Sequence, residues 1–167
     1  MSNFDEAFEK TLKYEGVLSN DVNDSGGLTK YGISQQSYPK LDIRNLTIDD
    51  AKKIYKRDYW DICLCDYIKD KTIAMQVFDI AVNMGTGGVG TVVQKAINSL
   101  LPQGQSIRVD GAIGKITIDK LNSLLAKDIN NAIAKYRARR YATICDKNKT
   151  QAVFLEGWLN RTFGYIY

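Results

Sequence analysis

The residues best suited to chemistry lie near the start of the chain, where a glutamate is followed by a polar segment. Glu15 precedes a glycine, and the next fourteen residues bring a second carboxylate, Asp24, a pair of glycines and the hydroxyl group of Thr29. Hydrolysis of a glycosidic bond needs one acid that protonates the leaving oxygen and a second group that handles water. The spacing therefore makes this segment the first candidate site, with Glu15 as its acid.

The composition leaves few alternatives for that acid. The chain of 167 residues contains four glutamates and no histidine, which excludes the usual Ser-His and Cys-His nucleophile pairs and imidazole metal sites. Three cysteines are too few and odd in number for a disulfide framework, and we interpret them as small buried side chains. We therefore expect catalysis by carboxylates, tyrosines, lysines or hydroxyl groups, with no metal and no cofactor. The cysteines are Cys63, Cys65 and Cys145.

The first helix should place Glu15 at its end. Ser2 and Asp5 have the spacing of a capping box, and the apolar residues that follow recur at helical intervals. Gly16 is a natural stop, so Glu15 falls in the last turn. There the negative end of the helix dipole opposes ionisation and raises the pKa of the carboxyl group, which suits a general acid.

Helical patterns dominate the rest of the chain, and strand patterns are scarce, so we predict a mainly α fold. Residues 17–33 are rich in turn-forming side chains and indicate an irregular loop or a short hairpin. The glycine-rich stretch 85–90 fits a dinucleotide-binding pattern, but a helix precedes it instead of a strand, so we interpret it as a helix break and a close crossing. The further helices that we predict run from Thr47 to about Trp60, over Thr72–Asn83, and over residues 89–100, 116–126, 128–145 and 150–163.

Charge is unevenly distributed along the chain. Residues 1–90 carry 11 basic and 14 acidic side chains, whereas residues 91–167 carry 12 and 5. This asymmetry indicates either chemistry in the first part and attraction to a polyanion in the second, or simply two solvated surfaces. Arg137, Arg139 and Arg140 form a basic cluster in the second part. A solvated face, or attraction to an anionic cell-wall polymer, explains this cluster better than nucleic-acid binding does, because few aromatic residues are interleaved.

The opening motif EGVLSNDVNDSGGLTKYGIS is followed along the chain by IYKRDYWD, QVFDIAVNMG, VDGAIGKIT, RARRYATI and FLEGWLNR. These stretches, in this order, resemble glycoside hydrolase family 108, the phage-type N-acetylmuramidases. The resemblance implies a lysozyme-like helical fold with a catalytic region over residues 1–90 and a helical peptidoglycan-binding-like region over residues 91–167. We expect the two regions to pack into one compact unit. The family usually has Glu-Gly-Gly at the catalytic turn, whereas Val17 replaces the second glycine here.

The resemblance also implies roles for the candidate residues. Glu15 would protonate the bridging oxygen, Asp24 would stabilise the oxocarbenium-like transition state or act as base, and Thr29 would hold the attacking water. Asp21 competes with Asp24, and both Asp24 and Thr29 also fit ordinary loop hydrogen bonding. For sugar contact we name Tyr31, Trp60, Asp79 and Asn83. The alternative for the two aromatic residues is a place in the core. The alternative for Asp79 and Asn83, four residues apart on an apolar helix, is that they are satisfied core residues.

The function that the resemblance implies is cleavage of the β-1,4 bond between N-acetylmuramic acid and N-acetylglucosamine. We expect a monomeric phage or prophage endolysin that binds peptidoglycan, without nucleic acid and without stable insertion in a membrane. We also expect it to be made in the cytoplasm without a signal peptide and released to the wall by a holin-like or other dedicated route. The alternatives are a lytic transglycosylase acting on the same bond and a non-catalytic peptidoglycan-binding module.

Overall fold

A computed structural model describes residues 2–15, 18–19 and 28–166 of the chain, with residues 14, 15, 18 and 19 described by their backbone alone. The fold is mainly helical, as predicted. Three short strands follow the first helix: β1 (Leu18–Ser19), β2 (Thr29–Lys30) and β3 (Ile33–Ser34). The helices are α1 (Asn3–Glu15), α2 (Ile48–Tyr55), α3 (Lys71–Met84), α4 (Thr86–Asn98), α5 (Lys115–Ser123), α6 (Ala126–Lys147) and α7 (Leu155–Phe163).

The chain divides into two compact units, Met1–Asp58 and Tyr59–Tyr167. In the first unit, α1 begins with the predicted capping box, in which the Asp5 amide donates to Ser2 Oγ at 3.2 Å and the Ser2 amide donates to Asp5 Oδ2 at 2.8 Å. The ammonium group of Lys52 on α2 lies 2.5 Å from Asp5 Oδ1 and is the main reason that the pKa of Asp5 falls to about 2. This ion pair joins α1 to α2.

The apolar face of α1 forms the core of the first unit. Phe4, Ala7 and Phe8 recur at helical spacing and are all buried. The ring of Phe8 meets the ring of Tyr55 edge-on at 5.4 Å between centroids, so α1 packs against α2 through aromatic contact. Thr47 and Asp50 form the capping box that starts α2, again as the spacing predicts.

The second unit contains α3 to α7, and α3 is its most buried helix. Residues 73–81 of α3 are buried without exception, as expected for a helix whose sequence is almost entirely apolar. A π-helical turn (Lys56–Trp60) and a 3₁₀ turn (Cys65–Tyr67) precede α3, and a second 3₁₀ turn (Lys149–Phe154) precedes α7. Among the described residues, none of the helices combines the length and the apolar character needed to cross a membrane.

The glycine-rich stretch interrupts the helices at one residue. Gly85 has a φ of 78° and separates α3 from α4, a conformation that glycine adopts without steric cost. Gly87, Gly88 and Gly90 lie inside α4, which begins at Thr86 instead of residue 89. A Cβ at Gly90 would lie 2.0 Å from the carbonyl oxygen of Gly111, so this glycine allows the backbone of the following loop to approach the helix.

We expect Gly90→Ala to destabilise the protein strongly. The added methyl group overlaps backbone that cannot rotate away, and overpacking of this kind costs roughly 1–3 kcal/mol or more. Gly87→Ala is the matched control, since a Cβ there meets nothing within 4 Å and alanine favours the helix by up to about 1 kcal/mol. Urea unfolding of both variants measures the difference, and equal stability would show that the close approach at Gly90 is not required.

Candidate active site

The candidate acid occupies the end of the first helix, as predicted. Glu15 is the last residue of α1, and β1 begins three residues later at Leu18. Ser19 of β1 pairs with Thr29 of β2 in an antiparallel register. The helix end that carries Glu15 and the strand that carries Thr29 are therefore joined by a single short strand. Asp24 lies outside the described residues and stands in the sequence midway between the paired Ser19 and Thr29.

Thr29 lies on the polar face of the small sheet. It pairs with Ser34, and its neighbour Lys30 pairs with Ile33. Directly paired residues share one face of a sheet, and successive residues alternate between the faces. Because Ile33 is buried in the core, Thr29 and Ser34 lie on the opposite face, where Thr29 is half-buried. A hydroxyl group in this position can hold a water molecule or a sugar hydroxyl.

Tyr31 lies at the tip of the β2–β3 hairpin in an uncommon backbone conformation. Tyr31 and Gly32 form a two-residue turn with φ angles of 53° and 75°, the signature of a type I′ turn. Positive φ is uncommon for a bulky side chain, and such conformations cost about 1–3 kcal/mol and are found mostly at functional sites. The Tyr31 side chain is partly exposed, and the Lys30 ammonium group lies 5.6 Å from its ring centroid.

The hairpin tip is fixed to the helices by Tyr55. The Tyr55 hydroxyl donates to the carbonyl oxygen of Tyr31 at 3.0 Å, and the Tyr55 ring packs against Phe8 of α1. One side chain of α2 therefore positions both the turn and the helix that ends at Glu15. Sequence reasoning missed Tyr55 as a supporting residue, because its partners lie 24 and 47 positions earlier in the chain.

The assignment of Trp60 to sugar contact is corrected by its position. Trp60 has no exposed surface. Its ring meets Phe78 edge-on at 5.6 Å, and its indole N–H donates to Asp66 Oδ1 at 2.8 Å. A side chain without exposed surface cannot touch a glycan, so Trp60 has a packing role in the second unit. The core surrounds the Trp60 ring and supplies an acceptor for its N–H, as is usual for a buried tryptophan.

The assignment of Asp79 to substrate binding is likewise corrected. Asp79 is fully buried on α3, and its carboxylate contacts two guanidinium groups. Arg137 Nη2 on α6 lies 2.6 Å from Asp79 Oδ2, and Arg161 Nε on α7 lies 2.8 Å from Asp79 Oδ1. Both arginines are almost completely buried. Asp79 therefore joins three helices as the centre of a buried ion network, which is the core alternative for this polar position.

Asn83 lies at the outer end of the same network. The Tyr141 hydroxyl accepts from Arg137 Nε at 3.0 Å and donates to Asn83 Oδ1 at 2.8 Å. Burial is the first cause that raises the pKa of Tyr141 above its usual value. The Tyr141 ring is stacked on Trp158 of α7 at 4.8 Å. Asn83 itself is half-buried, so its contact with a sugar stays a prediction. The sequence did not indicate that Asn83 bonds to Tyr141 of the Tyr141–Trp158 aromatic pair.

The predicted site residues thus fall in different units. Glu15, Thr29 and Tyr31 belong to the first unit, and the hairpin and α1 bring their backbones into one region. Trp60, Asp79 and Asn83 belong to the second unit, where the first two are core residues. The candidate active site is therefore the end of α1 together with the β-hairpin. The catalytic roles of Glu15, Asp24 and Thr29 stay predictions.

Two parts of the chain each match a model of a known protein family. Residues 8–85 match the model described as Glycosyl hydrolase 108, and residues 91–163 match the model described as Predicted Peptidoglycan domain. These matches support the resemblance to glycoside hydrolase family 108. The chain is a glycoside hydrolase that acts on peptidoglycan. This reaction class and this substrate class are the ones expected from the sequence.

A solved structure confirms the fold. The structure of Brucella abortus SagA matches with a TM-score of 0.76 and 22% sequence identity, covering 97% of this chain and 90% of that chain. The mainly α, lysozyme-like fold predicted from the sequence is therefore confirmed. Comparison with curated proteins found no significant match.

The family boundary and the structural boundary differ. The hydrolase match ends at residue 85, whereas the first compact unit ends at Asp58. Asp79 lies in the hydrolase segment, and its partners Arg137 and Arg161 lie in the peptidoglycan segment. The later part of the hydrolase segment and the peptidoglycan segment therefore share one core. The division of the chain at residue 90 into a catalytic and a binding region stays a prediction.

Proposed function

We propose that this glycoside hydrolase is an N-acetylmuramidase that cleaves the β-1,4 bond between N-acetylmuramic acid and N-acetylglucosamine. The position of Glu15 carries the proposal: it ends α1 directly before the hairpin that holds Thr29 and Tyr31, inside the segment that matches the hydrolase family. The match of residues 91–163 to a peptidoglycan domain supports peptidoglycan as the polymer that is cleaved. A carboxyl group at a helix C-terminus stays protonated to higher pH than a free one, as a general acid requires.

The proposed reaction uses three groups of the first unit. Glu15 donates its proton to the glycosidic oxygen as the bond to the anomeric carbon breaks, and the N-acetylglucosamine unit leaves with a new hydroxyl group. Asp24 stabilises the oxocarbenium-like carbon or removes a proton from water, and Thr29 holds that water. Addition of the water oxygen to the anomeric carbon completes the hydrolysis and leaves N-acetylmuramic acid at the new reducing end.

The test is the release of reducing ends from purified peptidoglycan. The proposal predicts soluble fragments and a rising count of reducing sugars in step with the loss of turbidity. Loss of turbidity without reducing sugars would contradict it, because a lytic transglycosylase closes an internal 1,6-anhydro ring instead of adding water. Binding without any release of fragments would favour the non-catalytic module.

Tyr31 is the residue of the hairpin that we expect to contact sugar. Tyr31→Asn removes the ring and keeps the positive φ, which asparagine tolerates. Loss of one stacking ring should raise KM roughly 2- to 10-fold with a smaller change in kcat and little change in Tm. Tyr67→Asn, at a tyrosine that is 69% exposed in the second unit, is the matched control. An unchanged KM for Tyr31→Asn would remove Tyr31 from the binding surface.

We propose further that the protein acts as a monomeric phage or prophage endolysin in host lysis. The resemblance of its opening motif to phage-type enzymes supports this role. The enzyme would be made in the cytoplasm and reach the wall after a holin-like protein permeabilises the membrane. Expression in a bacterial host with and without such a protein tests the route: lysis in both cases would show that no dedicated release step is needed.

A further inference from the structure

A basic groove lies between α4 and α6 in the second unit, and Asp79, Arg137 and Arg161 are not among its lining residues. It has a volume of about 210 Å³. One wall comes from the first three turns of α4 and the other from the middle of α6. The groove is lined by Gly88, Thr91, Val92, Lys95, Tyr136, Arg139, Arg140 and Thr143.

The charged groups of this groove are all positive. Lys95, Arg139 and Arg140 line it, and no acidic side chain is among its lining residues. Within the described part of the chain, none of these three cations forms an ion pair. Three cations that face one groove without counter-ions repel one another, and an anion placed between them would relieve that repulsion.

Neighbouring side chains hold the groove in shape for an anionic ligand. The Arg139 guanidinium group lies 5.2 Å from the Tyr136 ring centroid, a cation–π arrangement that limits where its donors point. The hydroxyl groups of Thr91 and Thr143 already donate to the carbonyl oxygens of Gly87 and Arg139. The donors of the groove that remain for a ligand are those of its three cations and the Tyr136 hydroxyl group.

The cluster of arginines predicted from the sequence thus has two functions. Arg137 points into the core, where it pairs with Asp79. Arg139 and Arg140, two and three positions later on α6, are exposed and line the groove. One turn of helix separates a structural cation from a pair that is free to bind a ligand.

We propose that this groove binds the carboxylate groups of the peptide stems of peptidoglycan. Most of its lining residues lie in the segment that matches a peptidoglycan domain. The N-acetylated sugars of the glycan are uncharged where the lactyl group is in amide linkage to a stem, so the stems carry the anionic groups of the polymer. The groove therefore recognises stems, while the candidate active site acts on the glycan. The inference rests on peptidoglycan as the substrate and is independent of which bond is cleaved.

Binding of the full chain to purified sacculi tests the inference. Sacculi free of teichoic acid are compared before and after an amidase removes their stems, with Glu15→Gln in all proteins and at low temperature to keep the glycan intact. We expect stem removal to weaken binding, and Arg139→Gln with Arg140→Gln to weaken binding to intact sacculi about 10-fold at low salt. Lys115→Gln with Lys127→Gln removes the same charge from exposed positions outside the groove and should change binding less than about 2-fold.

Three results would overturn the inference. Stripped glycan that binds as tightly as intact sacculi would show that stems are not recognised. Equal binding by the groove variant and the control variant would assign the effect to total charge. Binding that requires walls retaining teichoic acid would assign the groove to a phosphate polymer. These results are measured by binding alone, without cleavage. They can therefore be told apart from a failure of the proposed muramidase activity.

Discussion

Glu15→Gln should reduce kcat on peptidoglycan by roughly 10²- to 10⁴-fold, the usual contribution of a general acid. Glutamine has the size of glutamate but cannot donate a proton to the glycosidic oxygen. Binding of peptidoglycan should change little, since no proton is transferred when the substrate binds. Release of reducing ends measures kcat, and sedimentation with sacculi measures binding.

The matched control for this variant lies on the same helix. Glu9 is exposed on α1, so Glu9→Gln makes the same chemical change six residues before the helix end and should leave kcat within about 2-fold. Full activity of Glu15→Gln would remove Glu15 as the acid, and persistent wall lysis would require another proton donor. Equal loss in both variants would indicate a general effect on α1.

Asp79→Asn should lower the free energy of unfolding more than Gly90→Ala does. It removes the negative charge that two buried guanidinium groups share, from Arg137 at 2.6 Å and Arg161 at 2.8 Å. Breaking a buried ion pair by removing one partner costs about 3–5 kcal/mol, because an uncompensated charge stays buried. We expect the midpoint of urea unfolding to fall accordingly, or the variant to fail to fold.

An exposed ion pair is the control for the buried network. Asp119 lies 2.6 Å from Lys115 on α5, and both side chains are mostly exposed. Asp119→Asn should cost only about 0.3–0.5 kcal/mol, as i, i+4 pairs on a helix surface do. Similar unfolding midpoints for Asp79→Asn and Asp119→Asn would contradict the central position of Asp79 in the core.

The same network predicts the behaviour of a fragment. Residues 91–163 produced alone would contain Arg137 and Arg161 without Asp79. We expect that segment to stay unfolded, although it matches a separate family model. A stable, cooperatively unfolding fragment would show that the peptidoglycan segment has a core of its own.

Local features of the fold were predictable from the sequence. The capping boxes at Ser2 and Thr47 and the end of α1 at Glu15 depend on residues within one turn of each other. The hairpin after α1 was predictable only as an alternative to an irregular loop, because its strands contain two residues each. The type I′ turn at Tyr31 was missed since Tyr-Gly is a weak turn signal compared with Asn-Gly.

Long-range partners decide the features that were predicted wrongly. A polar residue such as Asp79 on an apolar helix fits a cleft and a core network equally well. The arginines that settle the choice lie 58 and 82 positions away, and helical spacing on α3 alone does not identify them. Gly85 breaks the helix with a φ of 78°, whereas Gly87 lies inside α4, and the run of glycines in the sequence does not distinguish the two.

The most direct measurement of the central claim is the identity of the sugar at the newly formed chain end. Purified peptidoglycan is digested, the products are reduced with borohydride, and the reduced end is identified by mass spectrometry. The proposed hydrolysis predicts muramitol in new fragments from the wild-type protein, with its yield lost in Glu15→Gln. Reduced glucosamine at the new ends, or 1,6-anhydro ends that resist reduction, would contradict the proposed muramidase.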